Sequence, residues 1–332
     1  MIRDCDHVRL KSSVMVSLAQ ERIWSAWAKP ALWIATSTET VPVRDRIQSA
    51  GFAHALQIVC CVTFLSCSSL RASDTTHINP VKFGIVSGVT AGGFVVGHVV
   101  LNNLWWKGER SDFHFNFDED WKYALGSDKF GHAYFPYLAT DIYEGAFVWS
   151  GMDSTTALWS AAGFTLFYQT YIEVRDGFSK QYGFSFGDFG ADVLGAGYPI
   201  AQHYIPALRN FTFKISFDPS AEYKAGHYNA IIDDYESAYG WLSINVHNLL
   251  PESWQEWYPK WINLAIGHSV KNIYLSPVNG YHEWYLALDW NLEGLPGDGW
   301  FWNVVKHYLN YYHLPSPAVR VSPGVVWYGL KF

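Results

Sequence analysis

At 332 residues the chain is long enough for one large domain or two ordinary ones, with ample material for a buried core. Charged residues make up only 16%, the formal net charge is -7 and no cluster of Lys and Arg occurs, which excludes a nucleic-acid binder because phosphate neutralisation needs concentrated cations. Aromatics reach 18%, with 17 Trp, a composition that suits either a large aromatic core or a surface that is apolar on one side and wet on the other.

Residues 1–73 read as an N-terminal extension followed by a signal peptide. Arg44 and Arg46 provide a basic flank, and Ala53–Leu65 is an apolar run of signal-core length, too short to span a bilayer comfortably. Ala72 offers a cleavage site. Cys67, preceded by Phe64-Leu65-Ser66, forms an imperfect lipobox and is the candidate lipid anchor. A short buried helix at 53–66 is the competing reading, and residues 1–40 are expected to be an extension or to lie upstream of the true start. The remaining cysteines are Cys5, Cys60 and Cys61, so no disulfide framework or Cys-based metal site serves the main body.

Residues 74–206 read as helical. The stretch 82–106 is apolar, of near-spanning length, and ends in paired Trp; Gly84, Gly88 and Gly92 recur every four residues, a small-residue face that admits a close helix neighbour. Residues 107–127 read as a polar, aromatic connection. Helices are then expected at about 128–149, 155–175 and 186–204, the second apolar almost throughout.

After Pro206 the hydrophobic period changes to two. Phe211, Phe213, Ile215 and Phe217 alternate with Thr212, Lys214 and Ser216, and Trp284, Leu286, Leu288 and Trp290 alternate with Tyr285, Ala287 and Asp289. Weaker strands are expected at 241–246 and 261–267. Val326, Tyr328, Leu330 and Phe332 close the chain as an outer-membrane barrel strand would, yet five or six strands are fewer than such a barrel needs. Residues 207–332 are therefore expected to form an antiparallel sheet, half buried against the helices or a membrane surface.

Ionisable residues concentrate on the helices at regular spacings. Asp128 and His132 lie at i and i+4, with Lys129 beside them; Pro136 follows and is expected to kink the helix. Glu173 and Asp176 end the next helix. Asp188 and Asp192 again lie at i and i+4, and Gly195 continues their face, clearing space opposite a neighbouring helix. One His and several carboxylates from three helices can bind a divalent metal, through His132, Glu173, Asp188 and Asp192, or perform acid–base chemistry through His132, Glu173 and Asp188. The plainer alternative is a structural network, with Ser185-x-x-Asp188 a capping box and Lys129 neutralising Asp128 or Glu173. Gly267-His268-Ser269 resembles the His–Ser pairing of outer-membrane lipid deacylases, without an assigned acid.

The blocks DKFGHAY (128–134) and YIEVRDGFSKQYGFSFGDFGADVLGAG (171–197) resemble the YfiM-like family of predicted periplasmic lipoproteins, a domain family of unknown function. IDDYESAYGWLSINV (232–246) is similar to a further block of the longer Bacteroidetes-type members. The resemblance singles out Asp128, Lys129, His132, Glu173, Asp176, Ser179, Ser185 and Asp188, and it sets Asp192 where the family usually has Asn. The order Asp-Lys-x-x-His, acidic helix end, Ser-x-x-Asp is distantly similar to VanZ-like membrane proteins.

Together these readings predict an α+β protein of the cell envelope, in the periplasm and membrane-associated, with an outer-membrane location in view: a bundle of about four helices followed by an antiparallel β region. The expected role is structural, in contact with membrane lipid or envelope glycan. The alternative is a membrane-associated, metal-dependent hydrolase acting on a lipid or cell-wall precursor.

Overall fold

Three of the four long helices start where short polar side chains can satisfy free backbone N–H groups. Asn79 accepts from Val81 and Lys82 at 3.0 and 3.1 Å, Asp153 from Thr156 at 2.9 Å, and Ser185 from Asp188 at 2.9 Å. In the computed structural model, which describes residues 77–274 and 279–332, these caps begin α1 (Pro80–Leu104), α3 (Ser154–Gly177) and α4 (Phe186–Tyr204), with α2 (Asp128–Trp149) between the first two. The signal peptide, its cleavage site, the helix alternative at 53–66 and Cys67 lie outside the described residues. α2 runs unbroken through Pro136.

The remaining elements are β1 (Phe211–Phe217), α5 (Ala221–Lys224), β2 (Ala238–Ile244), α6 (Val246–Leu249), α7 (Glu252–Gln255), β3 (Ile262–Lys271), β4 (Tyr281–Trp290), α8 (Trp300–Leu309), β5 (Ser316–Ser322) and β6 (Val326–Lys331). The strands form one antiparallel sheet in chain order, as a continuous meander. The protein is therefore α+β, but α5 to α8 interrupt the β region. The period-two reading did not anticipate α8 or β5.

α2 and α4 meet closely because Gly195 faces the Ala133 carbonyl: a Cβ there would stand 2.1 Å from that oxygen. The space expected of Gly195 is thus used by a neighbouring backbone. The glycine ladder of α1 behaves otherwise. Nothing lies within 4 Å of where a Cβ would sit at Gly84, Gly88, Gly92 or Gly93, whereas Gly97, which repeats the same spacing, lies against the Tyr168 ring of α3. α1 is long and apolar enough to cross a membrane, with only Val86 and Leu101 buried and Val81, Val95 and Val99 more than half exposed.

The sheet packs on the helices through β1. Phe213, Ile215 and Phe217 join Tyr134, Tyr137, Val304 and Tyr311 in one core, so the apolar face read from the sequence looks toward the helices. The alternate residues Lys214 and Ser216 turn into the sheet's own interior, where Tyr239, Trp241, Ala265, Tyr285, Ala287 and Ala318 form a second core. At its centre Lys214 Nζ meets Asp289 Oδ2 at 2.8 Å, both fully buried. His313 Nδ1 lies 2.9 Å from Asp289 Oδ1, and the Trp241 ring stacks 3.9 Å from the His313 ring. Burial works to raise the Asp289 carboxyl, but the His313 hydrogen bond and the Lys214 charge hold it below the usual range. Ser316 Oγ lies 3.2 Å from His313 Nε2, completing a Ser–His–Asp alignment. Ser316 nevertheless donates to the Leu288 carbonyl at 2.6 Å, and all three residues are buried, so the alignment holds strands together rather than meeting a substrate.

Gly267-His268-Ser269 does not form a pair either. Adjacent strand residues face opposite sides: His268 bonds to His282 at 2.9 Å on the outer face, and Ser269 donates inward to the Ala238 carbonyl at 2.8 Å.

α8 is fixed to the helical layer by His307, whose Nε2 and Nδ1 lie 2.7 Å from Asp141 Oδ2 and Glu293 Oε1. Burial disfavours the imidazolium, but Asp141 and Glu293 outweigh it and hold the ring well above the ordinary histidine range. A raised folded value means that the charged ring stabilises the fold fully below its unfolded pKa of about 6.5, and progressively less as pH climbs through the folded value. The stability gap between wild type and His307→Gln, measured by urea denaturation at pH 6, 7.5 and 9, is therefore expected to shrink as pH rises. A gap that is flat, or that grows, would contradict this assignment.

Candidate metal centre

α2, α3 and α4 each contribute to one cluster. His132 stands on α2, one turn after Lys129. Glu173 lies near the end of α3, and Asp188 and Asp192 occupy successive turns of one face of α4. His132 Nδ1 is 3.1 Å from Asp192 Oδ1 and 3.7 Å from Glu173 Oε1, while its Nε2 is 3.8 Å from Asp188 Oδ1. Glu173 and Asp192 are buried; the His132 side chain keeps 27% of its exposure, leaving the imidazole reachable from one side.

Lys129 forms the other half of the cluster. Its Nζ lies 2.7 Å from Asp120, 2.8 Å from Asp188 and 3.1 Å from Asp128. The expected partner Asp128 is thus joined by Asp188, while Glu173 instead accepts from the Ser185 backbone N–H at 3.1 Å. Ser185 caps α4 as the capping-box spacing indicated, and its hydroxyl also donates to Asp120 at 2.6 Å. Asp120 is the site residue that the sequence did not mark. It lies in the 107–127 segment read as a connection, and it also accepts from the Gly187 N–H at 2.9 Å. The turn from Asp120 to α2 passes through Ala124 and Leu125 at φ values of 45° and 54°, left-handed conformations that side chains rarely adopt.

Two singled-out residues stand at the margin. Asp176 accepts from Trp106 Nε1 at 2.6 Å, linking the end of α1 to the end of α3. Ser179 is buried in the turn after α3 and accepts from the Gln181 N–H at 3.3 Å; it does not contact His132 or Lys129 in the described network.

Asp120, Asp128, Glu173, Asp176, Asp188 and Asp192 face two cations, Lys129 and His132. Burial pushes Glu173 up to about 8, against the pull of His132, and pushes Asp128 and Asp176 up to about 6. Burial also raises Asp192. On His132 burial acts the other way, but the Asp192 hydrogen bond and the Asp188 charge prevail and bring it up to about 9. The pocket gathers more carboxyl groups than cations, and burial raises several of them because their charges are not fully offset.

A cation fits that surplus. His132, Glu173 and Asp192 each offer one donor atom, all within 4.8 Å of one another. Two ligands held about 2.1 Å from a common ion stand roughly 3.0–3.4 Å apart, close to the separations around His132 Nδ1. Asp192 Oδ2 is buried and accepts no hydrogen bond. Asp188, facing Nε2, occupies the position of the carboxylate that orients a metal-bound imidazole.

Beside the cluster lies an exposed phenylalanine group from the 107–127 segment and the start of α4. The rings of Phe115 and Phe186 stack at 5.1 Å and those of Phe117 and Phe186 at 5.9 Å.

Residues 116–202 match the model of a family described as predicted periplasmic lipoprotein (DUF2279). The match covers Asp120 and the whole His132 cluster, bears out the family resemblance over that segment, and agrees with a location in the periplasm of the cell envelope. No curated protein and no solved structure matches the chain.

Proposed function

We propose that this chain is a non-catalytic envelope protein whose helical unit is organised around a divalent cation held by His132, Glu173 and Asp192. The observation that carries the reading is Asp192 Oδ2, a buried carboxylate oxygen with no hydrogen-bond partner beside a buried glutamate and an imidazole. One nitrogen and two carboxylates suit Zn, Mn or Fe(II) better than Ca. An ion there joins α2, α3 and α4 at one point, which supports a structural role.

Envelope attachment belongs to the same proposal. The exposed apolar surface of α1 and the Phe115–Phe117–Phe186 group suit contact with membrane lipid, and exported lipoprotein biogenesis through Cys67 accords with the family description. Envelope glycan is the other partner the aromatic surface suits.

The test is metal content, together with calorimetric titration of Zn²⁺ and Mn²⁺ into dialysed protein, for wild type and Asp192→Asn. Wild type is expected to bind one ion and to gain about 2.7 kcal/mol of stability at a hundredfold excess over Kd. Asp192→Asn is expected to bind at least about tenfold more weakly while keeping its helical circular dichroism. A wild-type protein that takes up neither ion would sink the proposal.

The metal-dependent hydrolase remains the second reading, favoured by the accessible edge of His132. Three protein ligands leave coordination positions open, and the phenylalanine group would receive the apolar part of a lipid or cell-wall precursor. Cation-dependent hydrolysis of a phospholipid or lipid-linked precursor that is lost in His132→Ala would favour it over the structural role.

A further inference from the structure

The β3–β6 part of the sheet is built inside out for a protein surrounded by water. Leu242, Ile266, Leu286, Val319 and Trp327 are register partners in turn, forming one apolar row across five strands on the outward face. Leu264 and Leu288 pair beside it. The row is open where it leaves the helices: Ile266 is 40% exposed, Leu286 53% and Trp327 80%. The charged side chains of the same strands turn inward instead. Asp289 meets the buried Lys214 of β1, Glu283 meets Arg320, and the buried Lys331 reaches Asp218 just past the end of β1.

Burying charge while exposing leucine costs free energy on both faces in water, and reverses that cost where the outer medium is hydrocarbon. From this juxtaposition we propose that the outward face of β3–β6 is seated in a lipid leaflet. Two further observations favour lipid as the occupant. At one end of β3 and β4 the Trp261 and Trp290 rings stack at 5.8 Å, with Trp254 and Trp257 just before them in the chain, an aromatic group placed as at a headgroup boundary. α1, itself of membrane-crossing length and mostly exposed, belongs to the same compact unit.

The strands do not complete a barrel. Ile215 on β1 is bridged by Tyr312, which covers part of that edge, but β6 pairs with β5 alone among the described residues. An unpaired strand edge cannot cross hydrocarbon, so the face rests in one leaflet and does not span the bilayer. The inference extends the envelope reading by naming a surface, and it does not draw on the cation site.

The experiment is spin-label accessibility on full-length protein in phosphatidylethanolamine–phosphatidylglycerol vesicles, with the native cysteines changed to Ser. Single labels replace Leu286, Val95 on α1 and Lys224. At Leu286→Cys, collisions with oxygen are expected to exceed those with a water-soluble nickel relaxant by about tenfold over the ratio at Lys224→Cys. A lipid signal at Val95→Cys with a water signal at Leu286→Cys would overturn this inference while leaving membrane attachment through α1 intact. Strong label–label broadening at Leu286→Cys, with neither relaxant reaching it, would overturn it in favour of a second copy covering the face. Should labelling disturb the sheet, unlabelled protein in vesicles of brominated lipid gives the same answer: Trp327→Phe is expected to lower the quenched fraction of Trp fluorescence, and an unchanged fraction would count against the proposal.

Discussion

Asp289→Ala is expected to lower the free energy of unfolding by about 3–5 kcal/mol, because it strands a buried charge rather than deleting a surface one. Lys214 is fully buried and donates to Asp289, to the Trp290 carbonyl at 2.8 Å and to Asn310 Oδ1 at 3.0 Å. Neither neutral acceptor can compensate its charge. His313 would lose the carboxylate that orients it, and the Ser243 hydroxyl would lose its acceptor at 2.5 Å. Urea denaturation followed by Trp fluorescence measures the loss. The double replacement Lys214→Met with Asp289→Leu removes both charges and is expected to recover much of it. A single variant within about 1 kcal/mol of wild type would show that the pair is not buried as described.

Gly195→Ala is the second large effect, expected to destabilise by about 1–3 kcal/mol through overpacking. The added methyl would meet the Ala133 carbonyl, a backbone atom that cannot rotate away, one residue from His132. Gly190 provides the control on the same helix. Nothing lies within 4 Å of a Cβ there, so Gly190→Ala should gain up to about 1 kcal/mol from helix propensity. Opposite signs from one methyl group on one helix would locate the α2–α4 contact without any activity assay. If Gly195→Ala melts with wild type, the helices stand further apart than 2.1 Å implies.

Much of this arrangement could be read from local signals. The helices at 128–149 and 186–204 have the residue limits their periodicity indicated, and β1 coincides with the alternation at 211–217. The i,i+4 spacings of Asp128 with His132 and of Asp188 with Asp192 indicated which residues share a helix face, since helical geometry converts spacing into a shared side, whereas the meeting of Glu173 with them depends on how three helices pack. Asp120 was hidden because its role depends on a fold-back of an irregular segment onto Lys129 and Ser185, which no periodicity encodes. α8 was missed although it is amphipathic, because its ten residues fall inside a region read with a period of two, and β5 because Pro317 and Arg320 interrupt the strand pattern. The orientation of the sheet's two faces was also beyond local reading: alternation shows that β4 has two faces, but only the core of Tyr239, Trp241 and Tyr285 reveals that the aspartate side is the buried one.

The tie between Trp106 and Asp176 has a mechanical meaning. α1 is joined to α3 there, and again through His98 to Tyr171 at 2.5 Å and Asn102 to Arg175 at 3.1 Å. Arg175 and Asp176 lie within one helical turn of Glu173, so torque on α1 is delivered to the segment that carries that carboxylate. A helix of 25 residues is about 37 Å long, several ångströms more than a bilayer's hydrocarbon of about 30 Å, and an inserted α1 would lean by an amount set by bilayer thickness. α1 is also held to the end of α2, where the Asn79 N–H donates to the Ser150 carbonyl at 2.8 Å, so a lean of α1 would load both of the helices that carry His132 and Glu173.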